Sequence, residues 1–274
     1  VDVLQWLLFG VLPAIAVVLL LVGVGGARWL ALALALAVCA PLAMEDGRPP
    51  WPFELDLLRG PARPALWWVL LLSGAFGAAY DLRLLPRRLA VVFEAALVLA
   101  LPWLLSAPWR AAWSFEACVL CLVVGWSVVL CLWWSVRQAA KVQTGLAVPL
   151  AMTLALVADA WLLRTRGAGA DWQLAGVAAV ALGFAVVTTA WRRPFCCGGG
   201  AALTMTLAHT GLLVCGRSAA ELLDASFWIA WGSPLSLSLC ALPWCVRSRR
   251  LGAVVACSGV AMFGALVVWS GSPQ

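Results

Sequence analysis

Four ionisable side chains fall within or at the edge of long apolar runs: Glu94, Glu116, Asp159 and His209. An ionisable group in hydrocarbon is costly, so each is a candidate proton carrier, cation ligand or substrate contact. Glu94 follows Arg88 at a distance of roughly 9 Å along a helix. It reads either as a proton or cation site or as a carboxylate paired with an arginine of the Arg83–Arg88 stretch. Asp159 precedes Arg164, and an acid near a loop arginine is its alternative to a place on a substrate path. Glu116 follows Trp113 and Ser114, where interfacial solvation accounts for it. His209 is the only histidine, and Thr206 and Thr210 make a small polar stripe with it. The stripe is expected to face the interior of a helix bundle, as a proton relay or as a hydrogen-bonding link between helices.

A lone histidine is a poor basis for a metal site, and no metal or cofactor is expected. Gly198–Gly200 is not a phosphate loop, because no Lys-Ser/Thr follows and no strand precedes. Of the ten cysteines, Cys39, Cys131, Cys215, Cys240, Cys245 and Cys257 are scattered in apolar sequence as small hydrophobes. Cys196 and Cys197 are adjacent, and Cys118-Val-Leu-Cys121 forms a C-x-x-C. Cys118 and Cys121 are the redox candidates, on condition that the site lowers a thiol pKa.

The elements that must position these groups follow from composition. The chain has 274 residues, 65% hydrophobic and 11% charged, where a soluble domain carries roughly 25% charged residues. The deficit means that most of the surface faces something other than water. The runs Leu30–Val38 and Ala175–Val187 are apolar without alternation, which is the pattern of a membrane helix and not of a barrel strand. A span needs roughly 20 apolar residues, and about ten such spans fill the chain. The expected fold is therefore an all-α polytopic membrane bundle with short loops, a single domain over residues 1–274 with no soluble part.

The spans read Val3–Val24, Arg28–Met44, Ala65–Tyr80, Leu89–Ser106, Ala112–Val136, Val142–Leu163, Trp172–Trp191, Ala201–Cys215, Leu222–Val246 and Leu251–Trp269. The break between the first two rests on Gly23, Gly25 and Gly26. The long connection Glu45–Pro64 reads as an extended stretch with an interfacial helix around Phe53–Leu58. Pro102, Pro149, Pro234 and Pro243 are positioned to bend or break helices. Gly74, Ala75, Gly77, Ala78 and Ala79 permit close helix packing. Most of the 18 tryptophans lie near span ends, at the headgroup level that suits indole.

The net charge of +6 comes from 17 Arg and one Lys against 12 acids. The cations form no stripe, so nucleic acid is not an expected partner. They gather at span ends: eleven in the odd-numbered connections, from Arg28 through Arg83, Arg137 and Arg192 to Arg250, and seven in the even-numbered ones. That bias places the odd connections in the cytoplasm and both ends of the chain outside an inner membrane. A division near Lys141 leaves equal numbers of spans in two halves of opposite topology, as in many carriers, though residue-level similarity between the halves is absent.

Cys118-Val-Leu-Cys121 resembles the motif of the quinone-linked disulfide oxidases of the bacterial envelope, in which such a pair sits near the outer end of a helix and exchanges disulfides. That resemblance implies a second external cysteine pair, whereas Cys196 and Cys197 are expected in the cytoplasm. Tyr80-Asp-Leu-Arg-Leu-Leu-Pro-Arg-Arg88 is similar to the acidic loop of polyprenyl-phosphate sugar-phosphate transferases. That likeness would make Asp81 a Mg²⁺-diphosphate ligand, but Tyr80 stands where the first paired acid belongs.

The function expected is that of a non-enzymatic multi-pass membrane protein, either a subunit or scaffold in contact with other membrane subunits or a small-solute carrier. A thiol-disulfide redox protein and a polyprenyl-phosphate-linked transferase are the enzymatic alternatives. The carrier reading requires a polar cavity at the midplane lined by Glu94 or His209, and Asp159 joins them as a path candidate.

Overall fold

The computed structural model describes residues 6–45, 62–110, 113–143, 145–168, 171–190, 197–216 and 224–270. The described elements are helical, and no strand occurs among the described residues. The Phe53–Leu58 helix and Cys196 lie outside them. Among the described residues, six helices are long and apolar enough to cross a membrane: Leu7–Gly25, Arg87–Leu105, Phe115–Val142, Ala147–Thr165, Asp171–Ala190 and Arg250–Trp269. The chain is thus a helical membrane bundle. In chain order the principal helices are α1 (Leu7–Gly25), α2 (Leu30–Glu45), α3 (Ala62–Asp81), α4 (Arg87–Leu105), α5 (Phe115–Val142), α6 (Ala147–Thr165), α7 (Asp171–Ala190), α8 (Gly199–Cys215), α9 (Ala225–Gly232) and α10 (Arg249–Ser270).

The break after α1 falls at Gly26, whose φ of +81° is open to glycine and strained for other residues. α5 begins at a Ser114 cap, whose hydroxyl accepts from Ala117 N–H, and runs past the expected end at Val136 to Val142. The ninth expected span is not one α-helix. α9 stops at Gly232 and continues as a 3₁₀ helix over Ser233–Ala241, then as a short turn over Pro243–Arg247. Pro234 and Pro243 sit at the starts of these two pieces, where their missing N–H costs least. At about 1.5 Å per residue for α and about 2.0 Å for 3₁₀, α9 and the 3₁₀ helix together extend about 30 Å. That matches the hydrocarbon core.

α8 is the axis of the bundle. Gly200 to Val214 are all buried, because α2, α3, α4, α5, α6, α7 and α9 pack around it. α1 lies outside against α2 and α7, and α10 outside against α6 and the 3₁₀ helix. Small residues set the closest crossing: a Cβ on Gly200 would lie 2.2 Å from Gly77 Cα, and one on Gly74 would lie 2.4 Å from Ala35 Cβ. The small-residue face of α3 thus seats α3 against both α2 and α8.

Two sets of contacts mark opposite ends of the bundle. At one end Trp6 packs on Trp172, Arg63 pairs with Asp171 at 2.9 Å, and Arg166 pairs with Asp224. At the other end Asp81 accepts hydrogen bonds from Gly200 and Ala201 N–H at 3.3 Å, and Glu94 pairs with Arg137.

Candidate functional site

His209 is fully buried near the middle of α8. Its Nδ1 lies 2.6 Å from Oδ2 of Asp159 on α6, and its Nε2 lies 3.1 Å from the carbonyl of Trp231 on α9. Asp159 is also fully buried. Counted inward from Cys215 and from Thr165, His209 and Asp159 both stand about 9 Å deep, so the two helices present them at one level. Asp159 therefore faces a histidine, and not Arg164 as its sequence neighbourhood suggests.

Hydrogen placement follows from the partners. A carbonyl only accepts, so Nε2 carries a hydrogen. One further hydrogen lies between Nδ1 and Oδ2. The pair is then neutral overall whichever atom holds that hydrogen, which is the state burial favours. The Trp231 carbonyl is open to His209 because Pro234, three residues on, has no N–H to return to it in a 3₁₀ turn. Trp231 is tied a second time, its indole Nε1 donating to Thr210 Oγ1 at 3.3 Å. Thr206 is buried and donates to Ala202 O of its own helix at 2.9 Å.

Trp231 is also a wall of a cavity. This space, about 260 Å³, lies between the end of α4, the start of α5, α8 and α9. Trp109, Trp113, Phe227, Trp228 and Trp231 supply its rings, and Leu105, Val124, Gly125, Val129 and Val214 much of the remainder. Ser106, Cys121 and Thr210 are the polar or thiol members of its lining, and among the described residues no charged side chain lines it. Leu120, on its rim, is 65% exposed, so one side opens at the outer surface of the bundle.

Glu94 is buried on α4, near the other end. Its partner is Arg137 of α5, at 2.6 Å, while Arg83, Arg87 and Arg88 are exposed. The Arg137 guanidinium also sits over the Trp133 ring at 4.9 Å. Glu94 borders a space of about 10 Å³ shared with Tyr80, Phe93 and Gly200, the size of one water. Asp81 caps the positive N-terminus of α8 through Gly200 and Ala201. Glu116 is exposed at the start of α5. Cys118 is half-buried and Cys121 exposed, both as free thiols on the first turns of α5. Cys197 is buried at the opposite end, beside the start of α8. Among the described residues no group of histidine, cysteine, aspartate and glutamate is arranged to hold a metal.

Trp231 and the Arg137 partner of Glu94 are missed by sequence reasoning. Equal depth from one bundle end is the signal that links His209 to Asp159, and it emerges only once the helix ends are known. Comparison with known proteins finds no matching family model, no matching curated protein and no matching solved structure.

Proposed function

We propose that this is a non-enzymatic, ten-span membrane protein that binds an apolar chain or ring drawn from the lipid phase in its tryptophan-lined cavity. The carrying observation is the cavity itself, about 260 Å³ with aromatic walls and, among the described residues, no charged lining. An apolar cavity of about 150 Å³ already accommodates benzene, so the space suits a segment of an acyl or isoprenoid chain or a fused ring. The exposed rim at Leu120 favours lateral access from the bilayer. The interior polar groups support the same reading. His209, Asp159, Glu94 and Asp81 are engaged with protein partners, and none lines a large polar chamber of the kind a hydrophilic solute would need.

Ten crossings are supported by the two sets of end contacts. The helix ends near Trp6, Arg63, Asp171 and Asp224 fall in one set and those near Asp81, Arg137 and Gly200 in the other, which fits alternating crossings. We place the end bearing Arg83, Arg87, Arg88 and Lys141 in the cytoplasm of a bacterial inner membrane, by the charge bias of its connections. The cavity then opens near the exterior face.

Photolabelling tests the ligand reading. The full chain, reconstituted in phosphatidylethanolamine–phosphatidylglycerol nanodiscs, is irradiated with a diazirine-bearing hexadecanol, and adducts are mapped by mass spectrometry. The expected result is labelling concentrated on Trp109, Trp228 and Val124 and lost in Val124→Trp, which fills the cavity. Labelling spread evenly over the outer faces of α1 and α10, unchanged in Val124→Trp, contradicts it.

A further inference from the structure

The His209–Asp159 pair and the cavity share one residue. The Trp231 ring lines the cavity, its indole N–H is held by Thr210, and its carbonyl is held by His209 Nε2. The imidazole therefore bridges α6 and α9 and fixes the wall against which a ligand would pack. That bridge depends on hydrogen count. Both contacts of the ring are made to acceptors, the Asp159 carboxylate and the Trp231 carbonyl. Two hydrogens satisfy both. With only one, the ring can donate to Asp159 or to Trp231, and the other contact becomes lone pair against lone pair. Loss of the shared proton thus releases either α6 or the wall of the cavity.

We propose that the Asp159–His209 pair is the proton site of the tryptophan-lined cavity, its shared proton latching Trp231 and so coupling an apolar ligand to proton binding. This rests on the cavity being a ligand site. The wall is a segment built to shift. α9 ends beside the pair and gives way to a 3₁₀ helix of nine residues, where runs beyond about four are uncommon and often mark a hinge. Of the elements packed on α8, α6 presents Asp159, whose carboxylate meets the imidazole. Glu94 of α4 is held by Arg137 of α5 at the far end, and Asp171 of α7 by Arg63 of α3. Cys39 on α2, Cys121 and Cys131 on α5, Cys215 on α8 itself and Cys240 on the 3₁₀ helix are free thiols. α9 presents no ionisable side chain. A ligand packed against Trp231 holds the latched, proton-bound arrangement, so ligand and proton bind with positive coupling, reciprocal by linkage.

His209 is the only histidine, so ¹⁵N-histidine labelling reports this ring alone. The full chain, purified through a histidine-free tag and held in the same nanodiscs, is titrated with and without the diazirine hexadecanol. The expected spectrum at low pH shows hydrogen on Nε2 and a hydrogen shared at Nδ1. One hydrogen is lost as pH rises, and the probe moves the midpoint upward by about one pH unit, a tenfold coupling. Asp159→Asn removes the shift while cavity labelling persists. Cavity labelling with an unmoved midpoint, or a ring that keeps both hydrogens at every pH, overturns the coupling and leaves the ligand site standing. Absence of cavity labelling overturns both.

Discussion

Two buried pairs differ in what their loss would do. Glu94 and Arg137 are nearly buried and pair with one another across α4 and α5. Breaking such a pair strands a charge at a cost of about 3–5 kcal/mol, while removing both partners costs far less. Arg137→Ala is expected to lower the thermal midpoint in mild detergent sharply. Glu94→Gln with Arg137→Met should recover most of that loss, and additive losses would show that the two act independently. The chemistry at this scale was only partly legible in the sequence. The Thr206–His209–Thr210 stripe could be read because a helix repeats its faces locally, and all three side chains are buried. The partners could not, because Asp159 and Trp231 approach His209 from α6 and α9. Their meeting depends on the order of helices around α8, which local sequence does not encode. For the same reason Glu94 was matched to arginines of its own loop and not to Arg137.

At the scale of helices, small residues and prolines decide the geometry. A Cβ on Gly200 would meet the Gly77 backbone at 2.2 Å, whereas one on Gly23 would meet nothing within 4 Å. Gly200→Ala is therefore expected to reduce folded yield strongly and Gly23→Ala to leave it unchanged, as read by monodisperse recovery on size exclusion. Equal recovery of the two would mean that α3 and α8 are not so closely crossed. Pro234→Ala supplies an N–H that competes for the Trp231 carbonyl, and it should weaken the His209 Nε2 hydrogen bond in the ¹⁵N spectrum. An unchanged Nε2 resonance would show that proline is not what frees that carbonyl. The apolar runs and glycine breaks made the long helices legible, down to the stop at Gly26. The division of the ninth span was foreshadowed by Pro234 and Pro243. Its extended 3₁₀ stretch was not, since which local helix type wins depends on packing against α5 and α10.

Across the described molecule, α8 is enclosed by α2 to α7 and α9, and the two ends of the bundle are tied by separate sets of contacts. An impermeant maleimide applied to intact cells should label a cysteine placed at Ser114 and spare one placed at Arg87. The reverse pattern would invert the orientation, and labelling of both would remove a crossing between them. Composition made the membrane bundle legible without any structure, because 11% charged residues do not cover a water-facing surface of this size. The cavity was invisible at that level. Its tryptophans come from α9 and from the stretch between α4 and α5, and in sequence Trp109 and Trp113 read simply as interfacial indoles. The most direct measurement is a cryo-electron microscopy map of the full chain in lipid nanodiscs. Elongated apolar density between Trp109, Trp228 and Trp231, reaching toward Leu120, is the predicted result. A cavity closed by its own side chains, with ordered lipid only on the outer faces, would contradict the account.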